Sequence, residues 1–253
     1  MLAILYSIVS FEKILTNRSI LWHTDNVSAA HITKVGSNNS RLQQIAQKIY
    51  FLCKSSRIRL TVIWIARENN TRADEISKSI DYDDWQTTQL LFNYLSDLWG
   101  PFSIDLFSDD ANHKCTRFCS RFYSKNAFKI DAFSFDWSKE HSYIVPPVHL
   151  ITRVIKHFLA SKGNPTGVLI IPYWPSALYW PFLVNSDKSF KHFIKDYFSI
   201  PSSKTVLSDG PSQRSILNKF DVTLFVLLIK KINHLLFYRS KYRELYIVTN
   251  QGT

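Results

Sequence analysis

Asp25 closes the run Ser19-Ile20-Leu21-Trp22-His23-Thr24, and Asp74 opens a helical pattern after Asn70-Thr71-Arg72-Ala73. Two carboxylates converging at one sheet edge can hold a hard divalent cation such as Mg2+, and a metal pair about 3.5–4 Å apart can clamp both oxygens of an in-line phosphodiester displacement. The same two acids can equally serve as a helix N-cap and as a first-turn charge against the helix dipole, so spacing alone leaves both readings open. A second group lies downstream. Asp105 falls inside the short apolar run Ser103 to Phe107, and Pro146-Pro147 stop the run Tyr143-Ile144-Val145. His113, Cys115 and Cys119 could supply three zinc ligands but have no fourth at finger-like spacing, and half-buried thiols are the alternative.

These residues need elements to place them. Leu2, Leu5, Ile8, Val9 and Leu15 approximate a helical stripe over 2–15, residues 19–24 read as a strand, and a second helix begins near Ser28. Gly36-Ser37-Asn38-Asn39-Ser40 interrupts it, Leu42, Ile45, Ile49 and Leu52 form a third helix to Cys53, and Ile58 to Ile65 forms a strand. After the turn Ala66 to Asn70, Thr71 caps the helix that carries Asp74. The alternation predicts an α/β sheet whose strand ends bring Asp25 and the turn before Asp74 to one edge. Further on, the pattern predicts a helix from Trp85 to Leu98, strands at 103–107, 143–145 and 167–171, and an amphipathic helix from Val148 to Ala160. Pro201-Ser202-Ser203 and Ser208 to Ser212 read as loops, and Val222 to Ile229 as a last strand. A boundary near Gly100 divides the chain into 1–97, 98–200 and an extension 201–253 with 8 Lys/Arg against 3 Asp/Glu.

The string Thr24-Asp25-Asn26, followed by Asn70-x-x-Ala73-Asp74-x-Ile76-Ser77-Lys78, resembles the ribonuclease H domain of reverse transcriptases, above all that of DIRS-type retrotransposons. The resemblance implies an RNA–DNA hybrid or DNA as partner, with Asn26 and Asn70 at the nucleic acid. It also implies Mg2+ held by Asp25 and Asp74, the third and fourth of four catalytic acids. The first two acids and the opening strands have no counterpart, which predicts an N-terminally truncated domain that does not cut by itself and whose upstream reverse transcriptase segment or other element proteins are possible partners. Over residues 102–183 the ordered series Ile104-Asp105-Leu106-Phe107, Ala111-Asn112, Arg117-Phe118, Asp136-Trp137 and Tyr143-Ile144-Val145-Pro146-Pro147 resembles the Dam-like methyltransferase region downstream in the same elements. That resemblance implies a Rossmann-like unit with Asp105, Pro146 and Pro147 at the cofactor. In the family an Asn/Asp-Pro-Pro-aromatic motif holds the target amino group and stacks the base, whereas this chain has Val145 and Val148 at those places. The expectation is therefore a degenerate methyltransferase with S-adenosylmethionine unused.

Composition sets the outer bounds. The 253 residues are 45% hydrophobic, which excludes disorder, and 31 basic against 20 acidic residues give a net charge of +11, which favours a polyanionic partner. Three cysteines make no disulfide framework, and no secretory leader or membrane span is legible, so the expected setting is intracellular, without membrane. The readings that compete with a nucleic-acid-processing fragment are a non-catalytic, domesticated binding module and a non-functional remnant.

Overall fold

The structure is a computed structural model that describes residues 1–78, 85–201, 206–209 and 222–231. It is α/β, and its contacts divide it into two compact units, residues 1–80 with 121–130 and residues 81–120 with 131–253. The sequence reading divides the chain near Gly100. The contacts place 85–99 with the second unit instead, because Trp85, Leu91 and Leu95 are buried there among sheet residues.

In the first unit, α1 (Leu2–Leu15) precedes β1 (Ser19–Thr24), α2 (Val27–Val35), α3 (Ser40–Ser55), β2 (Arg59–Trp64) and α4 (Thr71–Lys78). Helix starts are set by side chains that accept otherwise unpaired backbone N–H groups. Asn26 accepts from the Ala29 N–H at 2.9 Å, and Asn39 accepts from Arg41 and Leu42. Gly36, at φ 85°, ends α2 in a conformation that disfavours side chains. β1 and β2 run parallel, Ser19 opposite Arg59 and Thr24 opposite Trp64. Their half-buried faces meet a core of Ile4, Leu5, Ile8, Ala30, Ile49, Cys53, Ile58 and Val62, while Leu21 and Ile63 point to the open face.

The second unit holds β3 (Trp85–Thr87), α5 (Gln89–Trp99), β4 (Ile104–Asp105), β5 (Cys119–Ser120), and, after the two-residue β6 (Lys129–Ile130) of the first unit, β7 (His141–Ile144). It continues with α6 (Ile151–Ala160), β8 (Thr166–Pro172), β9 (Ile194–Pro201), β10 (Leu207–Asp209) and β11 (Thr223–Lys230). Its main sheet has the order β4-β7-β8-β11-β9, with β4, β7 and β8 parallel and β11 antiparallel to both its neighbours. Alternate residues of β8 feed two cores: Leu169 and Ile171 pack with α6 residues Ile151, Val154, Ile155 and Phe158, while Val168 and Ile170 pack with α5 residues Leu91 and Leu95. A sheet buried on both faces reads as an unbroken apolar run, which is why 167–171 and 222–229 stand out in the sequence. At Gly167 a Cβ would come within 2.5 Å of the Ser142 carbonyl oxygen, so the β7–β8 approach needs glycine.

Several elements differ from expectation: of the strand expected at 103–107 only Ile104–Asp105 pairs, and the helix expected from Val148 opens with a 3-10 turn, α6 starting at Ile151. Trp85–Thr87 is a strand, antiparallel to β10, and the helix starts only at Gln89, because Thr88 is extended and its hydroxyl accepts from the Leu91 N–H. Leu207–Asp209, of which Ser208 and Asp209 read as loop, is the partner strand. β9 is an edge strand with an almost wholly solvated outer run, so Lys195 and Asp196 hide its period and Pro201 is tolerated at its end. No helix among the described residues is long and apolar enough to cross a membrane.

Candidate functional site

The parallel pair β1–β2 brings two strand ends together. Asp25 follows β1 exposed, its carbonyl accepting from the Trp64 indole N–H at 3.1 Å, and Ile65 N–H donates to Thr24 at 2.9 Å. Asn26 uses its side chain to cap α2, and half-buried Asn70 ends a 3-10 turn at Arg67–Asn69. Asp74 sits near the start of α4; its side chain lies outside the described residues. Among the described residues no group of three or more His, Cys, Asp or Glu side chains could hold a metal. Elsewhere in this unit α1 and α3 flank a cleft of about 990 Å3, lined by apolar residues such as Leu5, Val9, Ile45 and Leu52 together with Lys48 and Lys54, with no carboxylate among its lining residues.

The richer site is the edge of the second unit where β4, β7 and β8 all end. Asp105 is the last residue of β4 and only 3% exposed. Its Oδ1 accepts from Phe107 N–H at 3.3 Å and its Oδ2 from Lys114 N–H at 3.0 Å, which closes the loop 106–114 on the carboxylate. Within the loop Asp109 accepts from the N–H groups of Ala111 and Asn112, and Asn112 accepts from that of Asp109. Burial pushes the Asp105 carboxyl up to about 6 in spite of those donors and of nearby Lys114. The Ser108 hydroxyl also lies near enough to favour the carboxylate, although it makes no well-formed hydrogen bond and is buried without a partner.

At the end of β7, Val145 is 9% exposed and packs in the apolar cluster of Leu95, Tyr143 and Val168. Pro146 is buried, and Pro147 is half-buried and leads into a 3-10 turn at Val148–Leu150, its carbonyl accepting from Leu150 N–H at 2.9 Å. Val148 packs against the α6 core. Past β8, the Tyr179 hydroxyl donates to the Pro172 carbonyl at 2.7 Å, and Tyr173 meets Trp180 edge-on at 5.1 Å, so these rings brace the end of the strand. The zinc alternative finds no support in the geometry. A His113 ring nitrogen bonds the Cys115 carbonyl at 3.0 Å, its ring stacks on Phe118, and burial pushes the Cys115 and Cys119 thiols up to about 12, where they stay protonated.

Asp105, Pro146 and Pro147, which the sequence motif singles out, lie at this edge, and so does Ser108, which it does not single out. A serine one turn past a strand looks like any loop serine, and only its buried, unpaired hydroxyl distinguishes it.

A mostly parallel sheet covered on both faces, with a buried carboxylate where β4 ends, is the architecture of α/β domains that bind ligands in the crevice outside their carboxyl edge. The model of the DNA N-6-adenine-methyltransferase (Dam) family matches residues 74–207, just over half of the chain, and the chain belongs to that family. No curated protein matches it.

This corrects the cofactor expectation. Dam-family enzymes use S-adenosylmethionine, so neither Mg2+ as cofactor nor an unused S-adenosylmethionine stands. The residues at the edge fit such a ligand: an unpaired buried hydroxyl costs on the order of 1–3 kcal/mol unless water or a ligand meets it, and Ser108 places one beside the Asp105 carboxylate.

Proposed function

We propose that the chain is a DNA-binding member of the Dam family that binds S-adenosylmethionine at the carboxyl edge of β4 and β7, with Asp105, Ser108, Pro146 and Pro147 around it, and transfers methyl groups to adenine slowly. When bound, the cofactor supplies an electrophilic methyl group. The chain's own part is to hold the polar end of that ligand with Asp105 and Ser108 and to bring an adenine amino group to the end of β7. The observation that carries the reading is buried Asp105 at the end of β4, inside the span that the Dam family model matches; the slow rate rests on Val145, which stands where the family's motif has Asn or Asp and whose side chain is apolar and packed into the core. An exocyclic amine there meets no acceptor, and a preorganised hydrogen bond of this kind is worth about 10²–10³ in rate.

Within the same reading the first unit is a ribonuclease H-like scaffold of the DIRS type, serving as nucleic-acid surface rather than as hydrolase. Its support is the parallel β1–β2 pair with helices in between, and Asp25 and Asn26 at the strand end. The net charge of +11 supports the binding half. The experiment is fluorescence anisotropy of a labelled 20-base-pair DNA duplex with the purified chain. A dissociation constant of roughly 1–100 μM near physiological salt, weakening steeply as salt is raised, is the expected result. No binding at 50 mM salt would refute the DNA-binding reading.

A further inference from the structure

From His141 through Ser186 the sequence contains no Asp or Glu, although the stretch covers β7, the Pro146-Pro147 turn, α6, β8 and the aromatic loop beyond it. In the middle of this acid-free stretch two cations stand one turn apart on the exposed side of α6. The Arg153 guanidinium lies 3.8 Å from the centre of the Phe133 ring, and the Lys156 ammonium lies 5.1 Å from that of Phe182. Neither has a carboxylate partner among the described residues. The nearby Asp136 carboxylate is taken up by the backbone N–H groups of Ser138 and Lys162 instead. By contrast Arg117, at the other end of the sheet, is neutralised by a two-pronged pair with Glu140 at 3.0 and 3.1 Å.

The rings under these cations are themselves fixed. Phe133 and Phe182 pack against the α6 core, and Phe133 meets His157 edge-on at 5.5 Å. Phe133 also meets Phe107 edge-on at 5.7 Å, and Phe107 is two residues past Asp105. The Arg153 head group is thereby tied through two rings to the loop at the candidate cofactor edge. An arginine stacked on an aromatic face keeps its N–H fork free for bidentate contact with phosphate, and a head group already ordered loses less freedom on binding.

We propose that Arg153 and Lys156 form a phosphate track that seats the backbone of duplex DNA beside the carboxyl edge of the sheet. This rests on the DNA-binding reading above and names the surface it uses. The track requires both cations to contact phosphates directly, so removing them must lower the number of counterions released, not merely the net charge.

The test is the salt dependence of binding to a labelled 20-base-pair duplex, measured for the wild-type chain, for Arg153→Gln/Lys156→Gln, and for a control of equal charge change, Lys188→Gln/Lys195→Gln. The first double variant is expected to reduce the slope of log K against log salt by about 2 and to weaken binding by tens of fold at 0.1 M salt, while the control changes the slope by less than about 0.5. Phe133→Leu, which keeps both charges but removes the platform, is expected to weaken binding a few-fold with the slope unchanged. If the wild type binds and the two double variants lose slope equally, or neither loses any, the track is wrong and general DNA binding stands. If the wild type does not bind, both fall. More than tenfold preference for an RNA–DNA hybrid over the DNA duplex would overturn the assignment to DNA.

Discussion

Replacing Val145 by Asn, with Val148 changed to Tyr in the same chain, is expected to raise the initial rate of methyl incorporation into duplex adenine by about 10²–10³ over the wild type. Val145 follows the last residue of β7 and precedes buried Pro146, and under the proposed function the side chains that would accept the amine and stack the base are what this strand end lacks. Asn is close to Val in volume and supplies a carbonyl oxygen; its amide sits at a site only 9% exposed, at a cost of about 1–3 kcal/mol if unpaired. That cost bears on stability and leaves the rate comparison readable as long as circular dichroism shows a folded chain. An unchanged rate in a folded double variant, or a wild type already as fast, would show that Val145 is not the obstacle.

Below about pH 8 the largest pH effect should come from Asp105. Its carboxyl is raised from 3.8 to about 6 by burial, so the folded state resists ionisation more than the unfolded chain does. The contribution of this group to stability is therefore full below about pH 4, declines as pH rises through about 6, and stays lost above it. The displacement corresponds to roughly 3 kcal/mol. Asp136, where burial raises the carboxyl but the Lys162 and Ser138 donors together lower it further, and Asp187, lowered mainly by the Ser189 donors, act in the opposite direction at lower pH, so the wild-type profile is a sum. The measurement is therefore the difference between the wild type and Asp105→Asn in urea unfolding at pH 4.5, 6 and 7.5. The wild type should lose stability relative to the variant across this range, because the amide has no charge to bury. Parallel profiles would mean that Asp105 is not carrying a buried charge, and the loop closed on it would need another explanation.

Both residues were visible in the sequence as members of an ordered motif, yet their environment was not. The elements from α1 to β2 follow directly from periodicity and punctuation, since Gly36 stops one helix and Asn39 starts the next. β3 and β10 are three residues each and exist through one another, so their pairing across more than a hundred residues leaves no local signature. The edge strand β9 is hidden for the reason that makes it an edge: its outward residues are solvated. The acid-free stretch around Arg153 and Lys156 could have been counted from the sequence. The rings that orient the two cations belong to segments 20 and 26 residues away, and tertiary packing alone brings them under α6. Ser108 gave no sign at all, because an unpaired hydroxyl is a property of its surroundings.

The central claim is that the cofactor site is intact while the amine-holding site is not, and calorimetric titration of S-adenosylmethionine into the folded wild-type chain tests it most directly. The account expects one saturable site per chain, unaltered in Val145→Asn and weakened about tenfold in Ser108→Ala, where the hydroxyl that would meet the ligand is gone. A wild-type chain that gives no saturable binding at millimolar S-adenosylmethionine would contradict it.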